Sequence, residues 1–334
     1  MKVLVMGGTR FNGLALVREL TRRGHDVTVL NRGRTQARIP RSVRRLQCDR
    51  HDLDRLRELL ADESFDCVQD INAYTIDDVR SMVDVFSGRI GHYIFASSTV
   101  IYARASVLPI TEDHPVDRSQ RQGAYGLNKL VCEDYLLEEF RGRGFPASIV
   151  AFSMVFGPNN FIADREARMF QRLLMGRPIL IPGDGTTLGQ VGYVDDEAHA
   201  LEMMMLKPNT FGKRYNLTGR DYWSDEGYVD TFADVLGVEP QKLLVPSQTM
   251  DALSLSSEGG LQQPLIQRLA YYIHRWNDSV VFSIDRLRRD VGFEPSYGFR
   301  AMVEATYEWY LAEGLDKTQQ FDFSKEDELI ASLT

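Results

Sequence analysis

Short apolar runs alternate with amphipathic stretches through the first half of the chain. KVLVMGG (2–8) predicts a strand, and Leu14, Val17 and Leu20 recur at helical spacing, predicting a helix over Gly13–Arg23. DVTVLN (26–31) predicts a second strand and RRLQCD (44–49) a short third, followed by a helix over Asp52–Leu60. DCVQDINAY (66–74) predicts a fourth strand, Ile76–Phe86 a helix and HYIFASST (92–99) a fifth strand. A long helix starting near Tyr125 continues over Lys129–Gly142, and PASIVAF (146–152) predicts the sixth strand. Such alternation implies right-handed crossovers and a parallel sheet covered on both faces, with ligands at the carboxyl ends of its strands.

After residue 156 the rhythm breaks. Pro158, Pro178 and Pro182 punctuate the chain, IPGDG reads as a turn, and TFGKRYNLTG (210–219) reads as one more strand with turns. The expected class is α/β: a Rossmann-type doubly wound parallel sheet with a smaller, mostly helical C-terminal substrate lobe. The expected division is a cofactor domain over 1–155, completed by parts of 189–220, and a discontinuous substrate lobe over 156–334. Ser254–Gly260 reads as loop-prone, and the polar tail from Lys317 as a peripheral helix.

Bulk properties narrow the function. The chain has 334 residues, 43% of them hydrophobic, as expected for a globular protein. No apolar run reaches the roughly 18–20 residues that span a bilayer, and Met1-Lys2 leads directly into a strand rather than a signal peptide. A cytoplasmic protein without a membrane partner is expected. Its net charge of −8 disfavours broad nucleic-acid binding. Cys48, Cys67 and Cys132 are too scattered for a disulfide framework and are expected to be buried thiols. His25, His51, His92, His114, His199 and His274 show no ligand spacing, so no metal site is expected.

Three features carry chemistry. In VLVMGGTRFNG (3–13) a strand runs into a glycine turn that opens a helix, where backbone N–H groups can approach a pyrophosphate. Gly7 and Gly13 stand where such turns place their first and third glycines, but the middle position is Arg10. Tyr125 and Lys129, four apart, share a helix face, so the ammonium is expected to favour the phenolate and lower the pKa of Tyr125 from about 10. FASSTVIY (95–102) ends the fifth strand with hydroxyls that can bond the same substrate oxygen.

Together these residues resemble the extended and atypical short-chain dehydrogenase/reductases of the NAD-dependent epimerase/dehydratase family. The resemblance covers about residues 1–300. It rests on GGTRFNG, Asp49, SSTVIY, YGLNK, VFGP (155–158), GRPILIPGDG (176–185) and YVDDEAHA (193–200). It implies that Gly7, Thr9, Arg10, Phe11, Asn12 and Gly13 surround the cofactor pyrophosphate, and that Asp49 contacts the adenine. Ala73 would line the nicotinamide-side ribose. Tyr125 would be the acid/base, Lys129 would bind the ribose, and Ser98 and Thr99 would face the substrate. The implied chemistry is reversible hydride transfer at a secondary alcohol of a sugar or nucleotide sugar. Epimerisation is the leading expectation, with an NADPH-dependent ketoreductase as one alternative. A second is a non-catalytic nucleotide-sensing or RNA-binding relative. A homodimer is likewise implied.

Departures from the family pattern matter. Thr99 and Val100 stand where 4,6-dehydratases place an Asp-Glu pair, which argues against that elimination. The second strand ends in Asn31, Arg32 and Arg34 rather than an acid, leaving NAD and NADP both open. Gly189 stands where sugar-nucleotide members often carry a diphosphate-binding arginine. Arg275 is the candidate to replace it, with Arg165, Arg168 and Arg177 as others that otherwise lie at the surface. Ala151 and Met154 replace an Arg and an Asn before VFGP. The basic segment Arg32–Arg45 reads as a solvated loop and helix, Asp195-Asp196 as a helix cap, and Trp223, Tyr271, Tyr272 and Trp276 as packing residues.

Overall fold

The structure is a computed structural model that describes residues 1–119, 122–162, 165–255 and 278–333. Two compact units emerge. The first comprises Met1–Val155, Gly192–Thr218 and Phe282–Ser296; the second comprises Phe156–Val191, Gly219–Val281 and Tyr297–Thr334.

In the first unit, strands β1 (Lys2–Met6), β2 (Asp26–Asn31), β3 (Arg44–Gln47), β4 (Cys67–Asp70), β5 (His92–Ser98) and β6 (Ala147–Phe152) join the strand Arg214–Leu217. All pairings are parallel, and the order from one edge is Arg214–Leu217, β6, β5, β4, β1, β2, β3. The strand order reverses between β1 and β4, the switch point at which doubly wound sheets bind nucleotides. Strand alternation divides the core. Val3 and Val5 pack on one face with α1 (Phe11–Arg22) and the helix Val194–Met204; Leu4 and Met6 pack on the other. That second face is covered by α2 (Leu53–Leu60), α3 (Ile76–Phe86) and α4 (Ala124–Arg143).

The strands expected in this half all form, as do its helices other than the one expected within Arg32–Arg45. The helix after the glycine turn begins two residues early, at Phe11, because Phe11 and Leu14 are both buried against the sheet. No helix forms between β2 and β3; residues 32–43 are loop and turn. Asp195 and Asp196 lie inside the first turn of Val194–Met204 rather than capping it. Asp196 instead accepts a hydrogen bond from the Ser296 amide at 3.0 Å. The three cysteines are buried.

The second unit has an aromatic core in which Phe156, Phe170, Tyr228, Phe232 and Phe299 are buried. Trp223 packs 4.7 Å from Tyr228 and 5.8 Å from Phe299 between ring centroids, as expected of a packing residue. Among the described residues no helix is long and apolar enough to cross a membrane, and no side-chain group could hold a metal ion.

Candidate active site

Backbone sterics build the nucleotide end. Gly7 follows β1 with φ +89°, where L side chains are strained, and a Cβ there would meet the Asn72 Cβ at 2.8 Å. On Gly13 a Cβ would lie 2.9 Å from the Gly7 carbonyl carbon and closer still to its oxygen. The turn and the first helical residues therefore touch without side chains between them. Helix α1 has no side-chain cap and no acid in its first turn, so its positive end is left to an external anion. These features fit a dinucleotide pyrophosphate. Gly13→Ala is expected to weaken NAD binding by the ~1–3 kcal/mol that overpacking costs, measured by calorimetry.

The remaining nucleotide-side residues lie where the strand ends place them. Asn31 closes β2, and its Oδ1 accepts from the Gly33 amide at 2.8 Å. Arg10 and Arg32 are exposed. Asp49 is half-buried, accepts from the His51 amide at 3.2 Å, and lies 3.7 Å from the His51 ring.

Strand alternation decides which serine faces the chemistry. Ser97 donates to the buried Glu133, which is paired with Arg214, whereas the Ser98 hydroxyl oxygen accepts from the Val100 amide at 3.4 Å and lies near enough to Tyr125 to influence its titration. Thr99 begins a short 3-10 turn immediately after the strand. One turn beyond Tyr125 on α4, Lys129 is buried, and its Nζ donates to the Ala73 carbonyl at 2.7 Å and the Ala96 carbonyl at 2.6 Å. The ammonium also lies 4.8 Å from the Phe95 ring centroid, 5.0 Å from that of Tyr74 and 5.6 Å from that of Tyr125.

The expected depression of the Tyr125 pKa does not occur. Loss of hydration and the neighbouring Tyr74 raise it above its ordinary value, against the opposing hydrogen bond from Ser98. Burial lowers the Lys129 pKa to about 8, opposed by the charge of Asp70. Tyr125 is thus held as a protonated phenol, and the neighbouring ammonium carries less charge than a solvated lysine.

Tyr74 is a site residue that sequence reasoning missed. Half of it is exposed, at 52%, and its ring centroid is 6.2 Å from that of Tyr125. Its only sequence signal was its place beside Ala73, which is wholly buried. Of the alternative arginines, Arg168 departs from the surface expectation, since it is buried and paired with Glu326; Arg165 and Arg177 are half-buried, and Arg177 is paired with Asp327. No arginine fits at position 189, where even a Cβ would lie 2.8 Å from Trp223 Cζ2 and closer to the rest of its ring. Arg275, Tyr271, Tyr272 and Trp276 lie outside the described residues.

The sheet order and the glycine turn at the switch point are those of a Rossmann-type nucleotide-binding fold. The chain belongs to the NAD dependent epimerase/dehydratase family, whose model matches residues 3–218. It is 30% identical over 254 residues to the chloroplast stem-loop binding protein of 41 kDa b of Arabidopsis thaliana, a match covering 72% of this chain and 65% of that protein. Identity to a UDP-glucose 4-epimerase of Corynebacterium glutamicum is 26% over 302 residues, covering 79% of this chain and 89% of the other. The fold is shared with the UDP-glucose 4-epimerase of Thermotoga maritima solved with UDP-glucose. That match has a TM-score of 0.75 at 17% identity, and covers 94% of this chain and 99% of that one.

Proposed function

We propose that the protein is an NAD(P)-dependent epimerase of a sugar or nucleotide sugar. The observation supporting this reading is the buried Lys129 ammonium, held by the Ala73 and Ala96 carbonyls, with the Tyr125 ring centroid 5.6 Å away and Ser98 at the end of the neighbouring strand β5. Bound to the glycine turn, the nicotinamide cofactor supplies a reversible hydride acceptor. Ser98 and Tyr125 hold the substrate oxygen between two hydroxyls. Tyr125 gives a proton to that oxygen in the reductive direction and takes it back in the oxidative one. Lys129, fixed by two carbonyls, keeps a positive charge beside the phenol below pH about 8. Thr99 and Val100 offer neither the acid nor the base of a 4,6-dehydratase.

The end of β2 supports a site that admits NADP as well as NAD. No carboxylate closes the strand, the Asn31 side-chain Oδ1 accepts from the Gly33 amide, and Arg32 and Arg34 are exposed. A second reading, RNA binding, is favoured by the similarity to a stem-loop binding protein, but opposed by the net charge of −8.

The test is to purify the protein without added cofactor, extract and quantify NAD(H) and NADP(H), and incubate it with UDP-glucose and UDP-galactose. Interconversion without added cofactor is expected for this substrate class. Net consumption of NADPH with a keto-sugar would replace epimerisation with ketoreduction. Salt-sensitive stem-loop RNA binding without turnover would replace both.

A further inference from the structure

Arg50 follows Asp49 in sequence and is buried among charges. One guanidinium edge grips the Asp70 carboxylate, with NH1 donating to Oδ1 at 3.0 Å and NH2 to Oδ2 at 2.6 Å. The same two nitrogens also donate to Asn72 Oδ1 at 3.0 Å and to the Asp78 carbonyl at 2.7 Å. Nε lies 3.2 Å from Asp78 Oδ1. Tyr93 adds a hydroxyl bond to Asp70 Oδ2 at 2.6 Å, and His51 reaches Asp78 Oδ1 at 2.8 Å. The other Asp78 oxygen accepts from the Tyr74 and Thr75 amides, both at 2.8 Å.

A single side chain from the end of β3 thus ties down residues 70, 72 and 78. Between them lie Ala73, whose carbonyl holds Lys129, and Tyr74, which lies over its ammonium. Asn72 also fills the space beside Gly7 that a Cβ would need. Buried ion pairs are weak sources of net stability, because desolvation offsets their attraction and apolar replacements often serve as well. A planar fork that must satisfy four acceptors at once does fix geometry.

We infer that Arg50 is a positioning residue for the cofactor site: it holds the 70–74 segment so that the Ala73 carbonyl fixes Lys129 and Asn72 forms the wall behind the glycine turn. This rests on the reading of Lys129 as a cofactor-binding residue.

The experiment measures NAD affinity by calorimetry and folding by thermal melting for Arg50→Lys, Arg50→Met/Asp70→Asn, Lys129→Met and Arg50→Lys/Lys129→Met. The paired Arg50→Met/Asp70→Asn change removes both charges of that pair, keeps an acceptor for Tyr93 and leaves Asp78 its bonds from His51 and the Tyr74 and Thr75 amides, and thermal melting checks that it folds. Arg50→Lys and the paired variant are each expected to weaken NAD binding about ten-fold, equivalent to about 1.4 kcal/mol. The losses from Arg50→Lys and Lys129→Met are expected to be non-additive, as for residues acting through one another. Cooperatively folded Arg50 variants that bind NAD like the wild type, or fully additive losses, would overturn the inference while Lys129→Met still loses affinity. An unaltered NAD affinity in Lys129→Met would instead overturn the reading of Lys129, and this inference with it.

Discussion

Tyr125→Phe is expected to lower turnover by about 10²–10⁴-fold, the contribution of a positioned acid–base group, while NAD remains bound. The substitution removes one oxygen and leaves the ring, so its packing near Tyr74 and Lys129 is preserved. Only the hydroxyl that would carry the proton is lost. Steady-state kinetics with UDP-glucose and UDP-galactose, paired with calorimetric NAD binding, separate the two effects. A variant that retains wild-type turnover would remove Tyr125 from the chemistry. Loss of NAD binding together with turnover would make its role structural.

The second large effect concerns Glu197, on the helix Val194–Met204. Its side chain is buried beside Gly192, and neither carboxylate oxygen has a hydrogen-bond partner among the described residues. Burial, then the charge of Asp196, raises its pKa well above the ordinary value of 4.5. The folded chain therefore keeps this proton at pH values where the unfolded chain has lost it. Its contribution to stability is fully present below about pH 4.5 and is lost as pH rises toward the folded pKa. Glu197→Met keeps the volume and removes the buried polar atoms, so stabilisation of about 1–3 kcal/mol is expected at pH 7.5. Denaturant melts at several pH values check the sign: the gain should shrink on moving down to pH 4.5. A gain independent of pH, or a loss, would show that the carboxyl is not held neutral.

Much of the first unit was legible in the sequence because its signals are local. The apolar run of β1, the period of Leu14, Val17 and Leu20, and the four-residue spacing of Tyr125 and Lys129 each depend on neighbours within a turn or two. Asp195 and Asp196 misled for a related reason. Their spacing marks a helix start, but the partner of Asp196 is Ser296, one hundred residues away. Arg32–Arg45 carried a helix-compatible composition, yet only β3 at its end found a neighbour to pair with.

The site's geometry followed the same division. Sequence alone determined the alternating parallel sheet, the glycine turn and the presence of a serine, a tyrosine and a lysine at the places where such a sheet binds its ligand. Periodicity and backbone sterics are written residue by residue. Only the tertiary structure decided that Ser97 is tied to Glu133, that Lys129 is held by the Ala73 and Ala96 carbonyls, and that Arg50 ties down residues 70, 72 and 78. It also reversed the expected direction of the Tyr125 pKa. A four-residue spacing brings an ammonium near a phenol, but the hydration that each group loses, which sets both pKa values, depends on the distant segments packed around them.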